Sequence, residues 1–185
     1  DGEVLIGALG CPNLVQAASP DFQGPGSLVI AARGQGTWSS SLEAPGDYIP
    51  LHVSRVSNPA QARLLCSVES AHTNVSQTSQ VTTSMGIQVS PVQMDSQAKY
   101  AVLAAGGGDL LMRLLSASRP DYREKIWDQA AGSLVLEEAG GRITDLDGKA
   151  LDFTAGRVLV HNRGILASND WLHSFALEAI QKIGA

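Results

Sequence analysis

The 185-residue chain holds only two cysteines, Cys11 and Cys66, with no CxxC pair and no Cys/His cluster. A disulfide framework and a zinc centre are therefore not expected, and both thiols should be buried in a reducing compartment. No apolar run approaches the roughly 20 residues that span a bilayer, and the first residues lack the basic and apolar regions of a signal peptide, so a soluble protein is expected. Lys and Arg number 13 against 18 Asp and Glu and form no cluster. That balance excludes a nonspecific nucleic-acid coat, although a few placed cations in a cleft could still hold a small anion. Internal repeats and low-complexity segments are absent. The glycine run at 106–108 is not followed by GK[ST], so it reads as a turn and not a phosphate loop. His52, His161 and His173 lack the Ser/Asp or Cys companions of a nucleophilic triad.

The residues that are present, 44% of them apolar, suffice for a buried core. Asp1-Gly2 is a favoured hairpin-turn pair with no strand before it. Strands are expected at Val4 to Leu9, at Ser27 to Arg33 and in TWSSSLE; if they pair, the first exposes an edge. Residues 42–62 carry Pro45, Gly46, Pro50 and Pro59, and mark a boundary between a 1–60 unit and a 61–185 unit. Beyond it, strands are expected at Ala62 to Ser67, Gly86 to Val92, Asp109 to Leu115, Arg142 to Thr144, Val158 to Val160 and Ile165 to Ser168. Helices are expected at the end of 72–83, at Ala98 to Ala105, at 129–139 and from about Asp170 to Ile183, the last capped by Asn169 or Asp170. Such alternation predicts an α/β layered domain preceded by an antiparallel sheet.

Chemistry concentrates in the second unit. Asp128, between Trp127 and a helical run closed by Gly140-Gly141, reads first as an N-cap; a carboxylate at a helix mouth could equally hold a divalent cation facing an anionic substrate. Ser96 and Lys99, three apart at a helix start, suit a phosphate or ribose grip, or else a capped surface helix. Arg113, inside the apolar run LLMRLL, needs an anionic partner. Glu69 and His72 end a short apolar strand, where open α/β sheets bind ligands, although a lone histidine can be structural. Glu137 and Glu138 face different directions and read as helix surface or as partners for Arg142, not as a paired-carboxylate catalytic site.

The segments DSQAKY, YREKIWDQAAG, EEAGG, ITDLDGKALDF and GILASN occur in order at 95–100, 122–132, 137–141, 143–153 and 164–169. Together with GALGCPNL at 7–14 and GQGT at 34–37 they resemble the carboxyl-terminal part of the 3′(2′),5′-bisphosphate nucleotidases, members of the inositol monophosphatase superfamily of magnesium-dependent, lithium-sensitive phosphatases. The resemblance implies that fold, and removal of the 3′-phosphate of 3′-phosphoadenosine 5′-phosphate to give AMP, with the phosphosulfate analogue as a second substrate. It implies that Asp128 is a Mg²⁺ ligand, that Ser96, Lys99 and Arg113 grip the remaining phosphate and the sugar, and that His72 lines the adenosine pocket. It also implies a cytosolic or organellar setting (chloroplast or mitochondrion). The family's Asp-Pro-Ile-Asp-Gly-Thr segment and an earlier glutamate, which supply the other metal ligands, have no counterpart in this chain, and Gln129 stands where the motif usually has histidine. The isolated chain is therefore expected to be inactive and to work with an amino-terminal fragment, or another protein, that covers the open sheet edge. A noncatalytic binding or assembly subunit is the alternative.

Overall fold

The computed structural model describes residues 2–21, 23–68, 74–116 and 118–185. A first sheet is antiparallel and contains β1 (Ile6–Cys11), β4 (Ser27–Ala32), β5 (Gly36–Ser41) and β6 (Ile49–Leu51) in that spatial order. Two short strands, β2 (Leu14–Val15) and β3 (Ser19–Pro20), pair beside it. The side-chain period of two divides β1 cleanly: Gly7, Leu9 and Cys11 face the core, while Ile6, Ala8 and Gly10 face solvent. As expected, β1 sits at the edge of this sheet, and Ile6 is 77% exposed.

The second sheet is mixed. Its strands are β7 (Leu64–Cys66), β8 (Val92–Gln93), β9 (Leu110–Arg113), β10 (Arg142–Thr144) and β11 (Ile165–Ser168), in spatial order β10-β11-β9-β7-β8. Strand β7 runs parallel to β8 and β9, and the remaining pairs are antiparallel. The α-helices among the described residues are α1 (Val75–Met85), α2 (Ala98–Ala104), α3 (Ala130–Glu138) and α4 (His173–Ile183).

Layering follows from which face of each strand is apolar. Leu65, Leu111, Ile165 and Ala167 turn toward α2 and α3, which lie between the two sheets and also cover Leu9, Val29 and Ala31 of the first. Their neighbours Leu64, Leu110, Met112 and Leu166 turn the other way, onto Val81 of α1 and Ala176 and Ile180 of α4. The order is sheet, helices, sheet, helices. Strands buried on both faces read as continuous apolar runs, which is why LLC and LLMR carry no alternation. Each fully buried leucine contributes about 1.5–3 kcal/mol.

The structure corrects several expectations. Residues 86–91 form no strand, leaving only Val92–Gln93 paired. Val158 makes an isolated bridge to Lys125, and Val160 is exposed; Leu159 alone of the three enters the core. At α4 neither Asn169 nor Asp170 is the residue before the helix. Asn169 is fully buried and accepts from the Leu172 N–H at 3.2 Å, one turn early, while its amide donates to Ser54 Oγ and the Val56 carbonyl. The α3 carboxylates do not meet Arg142. Glu138 accepts from the N–H groups of Gly34 and Gly36, each at 2.9 Å, Glu137 pairs with Arg33 at 2.7 Å, and Arg142 lies 3.9 Å from Asp170. Asp1 falls outside the described residues, and Gly2, at φ 75°, packs against Thr154. Among the described residues no helix is long and apolar enough to cross a membrane. Both cysteines are free, Cys11 buried and Cys66 half-buried.

Candidate active site

A cavity of about 380 Å³ opens at the carboxyl end of β9, which runs parallel to β7, and strand ends of this kind are where open α/β sheets place ligands. It gathers Ser96, Lys99, Arg113 and Asp128 into one lining, with Gln97, Arg119, Tyr122 and Glu124 beside them. His72 and Glu69 lie outside the described residues.

Each side chain arrives by a distinct route. Ser96 precedes α2 with φ 65°, a left-handed conformation that non-glycine residues adopt only under constraint. Its Oγ accepts from the Ala98 N–H at 3.2 Å, which leaves the hydroxyl proton for a ligand oxygen. Lys99, in the first turn of α2, is buried to 4% exposure and donates to the Met94 carbonyl at 3.1 Å and Ser67 Oγ at 3.3 Å. Burial, then the nearby Arg113, hold its ammonium pKa below the usual lysine value. Two like charges at one wall gain from an anion placed between them.

Arg113 ends β9 and finds the anionic partner its setting demanded. Its Nε donates to Glu124 Oε1 at 2.9 Å, and the side chains are 22% and 4% exposed. The other Glu124 oxygen accepts from Gln129 Nε2 at 2.9 Å, and Gln129 Oε1 accepts from the Tyr100 hydroxyl. Gln129 is 1% exposed and Tyr100 3%, and burial pushes the phenol well above its ordinary pKa, so it remains a donor. This chain of bonds uses both Glu124 oxygens and fixes the guanidinium plane. Among the described residues its Nη edge has no partner, and an arginine fork can bind a phosphate bidentately there.

Asp128 is not the N-cap that its position suggested. It is the last residue of a 3-10 turn, Ile126–Asp128, and the residue before α3 is Gln129, whose side chain makes no capping bond. The carboxylate is half-buried, lines the cavity and has no hydrogen-bond or ion-pair partner among the described residues. Free carboxylate oxygens in a cleft suit a hard divalent cation. Among the described residues no group of three or more His, Cys, Asp or Glu gathers to hold a metal, so Asp128 fits as one ligand and not as a complete set. Charge pattern alone could not single out Glu124, Gln97 and Gln129: Glu124 sits between Arg123 and Lys125 in a loop without period, and the two amides carry no charge. The demand of Arg113 for an anion was the one signal pointing toward Glu124.

The model of the inositol monophosphatase family matches residues 1–185. The chain belongs to the inositol monophosphatase family. Its relatives within that family include the 3′(2′),5′-bisphosphate nucleotidase of Oryza sativa, 40% identical over 188 residues that make up 98% of this chain and 51% of the relative. Nucleotidases of the same description from Emericella nidulans and Schizosaccharomyces pombe are each 36% identical, over 99% and 97% of this chain and 55% and 51% of theirs. The chain thus spans about half the length of the curated relatives it matches. Among solved structures, inositol monophosphatase from Anabaena (Nostoc) superposes with a TM-score of 0.58 at 22% identity, over 85% of this chain and 55% of that one. Extragenic suppressor protein suhB from Bartonella henselae superposes at 0.61 with 22% identity, over 84% and 53%. These two likenesses establish the inositol-monophosphatase-like α/β fold.

Proposed function

We propose that this chain supplies the substrate-gripping part of a phosphomonoesterase that removes the 3′-phosphate of 3′-phosphoadenosine 5′-phosphate to give AMP. The observation that carries the reading is the convergence of Ser96, Lys99, Arg113 and an unpartnered Asp128 carboxylate on one cavity; relatives named as bisphosphate nucleotidases supply the substrate class. Lys99 and the Nη edge of Arg113 neutralise the phosphate that stays on the product. The Ser96 hydroxyl orients the sugar or that phosphate. Asp128 turns its free oxygens toward the phosphate that leaves, where it would hold Mg²⁺. When bound, such a cation supplies Lewis-acid polarisation of the phosphoryl oxygens and lowers the pKa of a bound water.

Holding substrate and completing the metal site are separate tasks, and this chain carries residues for the first and one ligand for the second. The remaining ligands are proposed to come from the amino-terminal half of the full-length relatives' architecture, seated along the open edge of the first sheet. Leu5, Ile6, Trp38, Tyr48 and Ile49, all in or beside that sheet, are between 38% and 77% exposed. Those exposed apolar groups also favour the second reading, a binding or assembly subunit, should chemistry be absent.

The test is phosphate release from 3′-phosphoadenosine 5′-phosphate with Mg²⁺, by this chain alone and with a separately expressed amino-terminal half, alongside calorimetric titration of the chain with AMP. Binding of AMP by the chain and turnover only in the mixture are expected. A folded chain that neither binds AMP nor turns over in the mixture would overturn the enzymatic reading and leave the assembly subunit.

A further inference from the structure

The turn that carries Asp128 is weakly built. Its internal bonds are a 3-10 contact from the Asp128 N–H to the Lys125 carbonyl at 3.1 Å and another from the Gln129 N–H to the Ile126 carbonyl at 3.2 Å. Such i→i+3 geometry is poorer than that of an α-turn. Trp127 is 51% exposed, with the Arg157 guanidinium 5.3 Å from its ring centroid. The following helix α3 also lacks a side-chain cap of its own. Its early N–H groups need acceptors from elsewhere.

Gln97 meets both needs. Its Nε2 donates to the Trp127 carbonyl at 3.0 Å, and its Oε1 accepts from the Gly132 N–H at 3.2 Å. One neutral amide thus spans the Asp128 turn, holding the backbone just before the carboxylate and the first turn of α3 just after it. Gln97 reaches across because α2 and α3 pack closely where the Tyr100 ring lies on Gly132; any β-carbon there would meet the ring. Gln97 stands between Ser96 and the first turn of α2, which carries Lys99, so the same residue links the anion grip to the carboxylate.

We infer that Gln97 is a positioning residue that caps α3 from the neighbouring helix and holds the Asp128 carboxylate in register with Ser96 and Lys99. The inference rests on the proposed function for the purpose of that register, but the capping bonds stand apart from it. Gln97→Met removes both bonds at similar volume. Gln97→Glu keeps the acceptor for Gly132 and turns an oxygen against the Trp127 carbonyl.

Two measurements decide the matter. The first is backbone amide exchange of the ligand-free chain. Gly132 and Asp128 are expected to exchange roughly tenfold faster in Gln97→Met, with the central strand β9 unchanged. Unchanged exchange at both positions would overturn the capping role whatever the chain binds. The second is calorimetric AMP affinity, with and without Mg²⁺, of the chain mixed with the separately expressed amino-terminal half that is proposed to complete the metal site. In Gln97→Met the gain on adding Mg²⁺ should fall about tenfold, well beyond any change in the affinity without Mg²⁺, because the Asp128 side of the cavity has lost its support. Gln97→Glu should lose that gain as well. Equal loss in both conditions, or a Mg²⁺ gain that survives while only thermal stability falls, would reduce Gln97 to a structural residue. An unsubstituted chain that shows no Mg²⁺-linked gain would overturn the register and count against the proposed function, with the exchange measurement still deciding the capping bonds.

Discussion

Replacing Gln129 by leucine would strand two buried groups at once, the Tyr100 hydroxyl and Oε2 of Glu124. Leaving such groups without partners costs about 1–3 kcal/mol each, so Gln129→Leu is expected to lower unfolding stability by roughly 2–5 kcal/mol in urea titration. A histidine, which the resemblance puts at this point of the motif, offers one donor and one acceptor when neutral. Gln129→His should therefore stay within about 1 kcal/mol of the original. The same bonds set ligand affinity through Glu124. Arg113→Lys keeps the charge but loses both the Nε bond to Glu124 and the planar fork, so AMP should bind about 10–100-fold more weakly in calorimetry, with the fold intact. At this scale the sequence was legible wherever a charge stood in an apolar run. Arg113 announced a partner, and Ser96, Lys99 and Asp128 were recognisable through their motifs. The neutral amide of Gln97 announced nothing, and Gln129 stood out only as a departure from the motif, because their roles exist only once α2 and α3 are packed.

Helix α3 shows how an element can carry residues that its own electrostatics disfavour. Glu138 lies at its carboxyl end, where the helix dipole repels anions. The compensation comes from another element: the β4–β5 turn offers the Gly34 and Gly36 N–H groups, foremost Gly34, and holds this carboxyl below its ordinary pKa. Glu138→Ala is expected to cost about 1–3 kcal/mol, since hydrogen bonds to charged groups exceed neutral ones. The sign with pH follows from the lowered value. The stabilisation is fully present above the carboxyl's unfolded pKa and is lost as pH falls through the lower folded one, so acid should narrow the gap between Glu138→Ala and the original. Gly132→Ala tests the opposite end of α3, where the Tyr100 ring leaves no room for a methyl group. Overpacking there should cost about 1–3 kcal/mol and lower the thermal midpoint. The end of α3 was legible from the glycine pair that closes it, whereas the caps of α1 went unread: Asn74 opens that helix and Gly86, expected to begin a strand, closes it in the left-handed conformation. Val158–Val160 misled because apolar residues in a loop can send one side chain inward without pairing.

The whole molecule depends on two cores sharing one sheet, and His173 joins three elements around the second. Its Nε2 lies 3.0 Å from Thr144 Oγ1 on β10, and its Nδ1 lies 2.8 Å from Ser168 Oγ on β11, while the residue itself opens α4. The Thr144 hydroxyl already donates to the Asp145 carbonyl at 2.8 Å, so Nε2 must carry the proton and Nδ1 must accept from Ser168. That assignment describes a neutral imidazole. Burial first, and then the Arg142 charge, push its pKa down from 6.5 to about 4. The unfolded chain accepts a proton near pH 6.5 and the folded one does not, so this residue's contribution is intact above pH 6.5 and erodes as pH falls toward 4. The difference caps the loss at about 3 kcal/mol for a residue only 1% exposed. Sequence reading excluded His173 from a triad but gave no sign of this burial, because its two hydroxyl partners come from separate strands. His173→Gln can keep one donor and one acceptor for the same hydroxyls while losing the titration. Urea unfolding between pH 7.5 and 4.5 should therefore show the original chain losing stability faster than His173→Gln as the pH is lowered, so that the two curves converge. Parallel curves would mean that His173 titrates alike in the folded and unfolded chain, and that the acid sensitivity of the second core lies elsewhere.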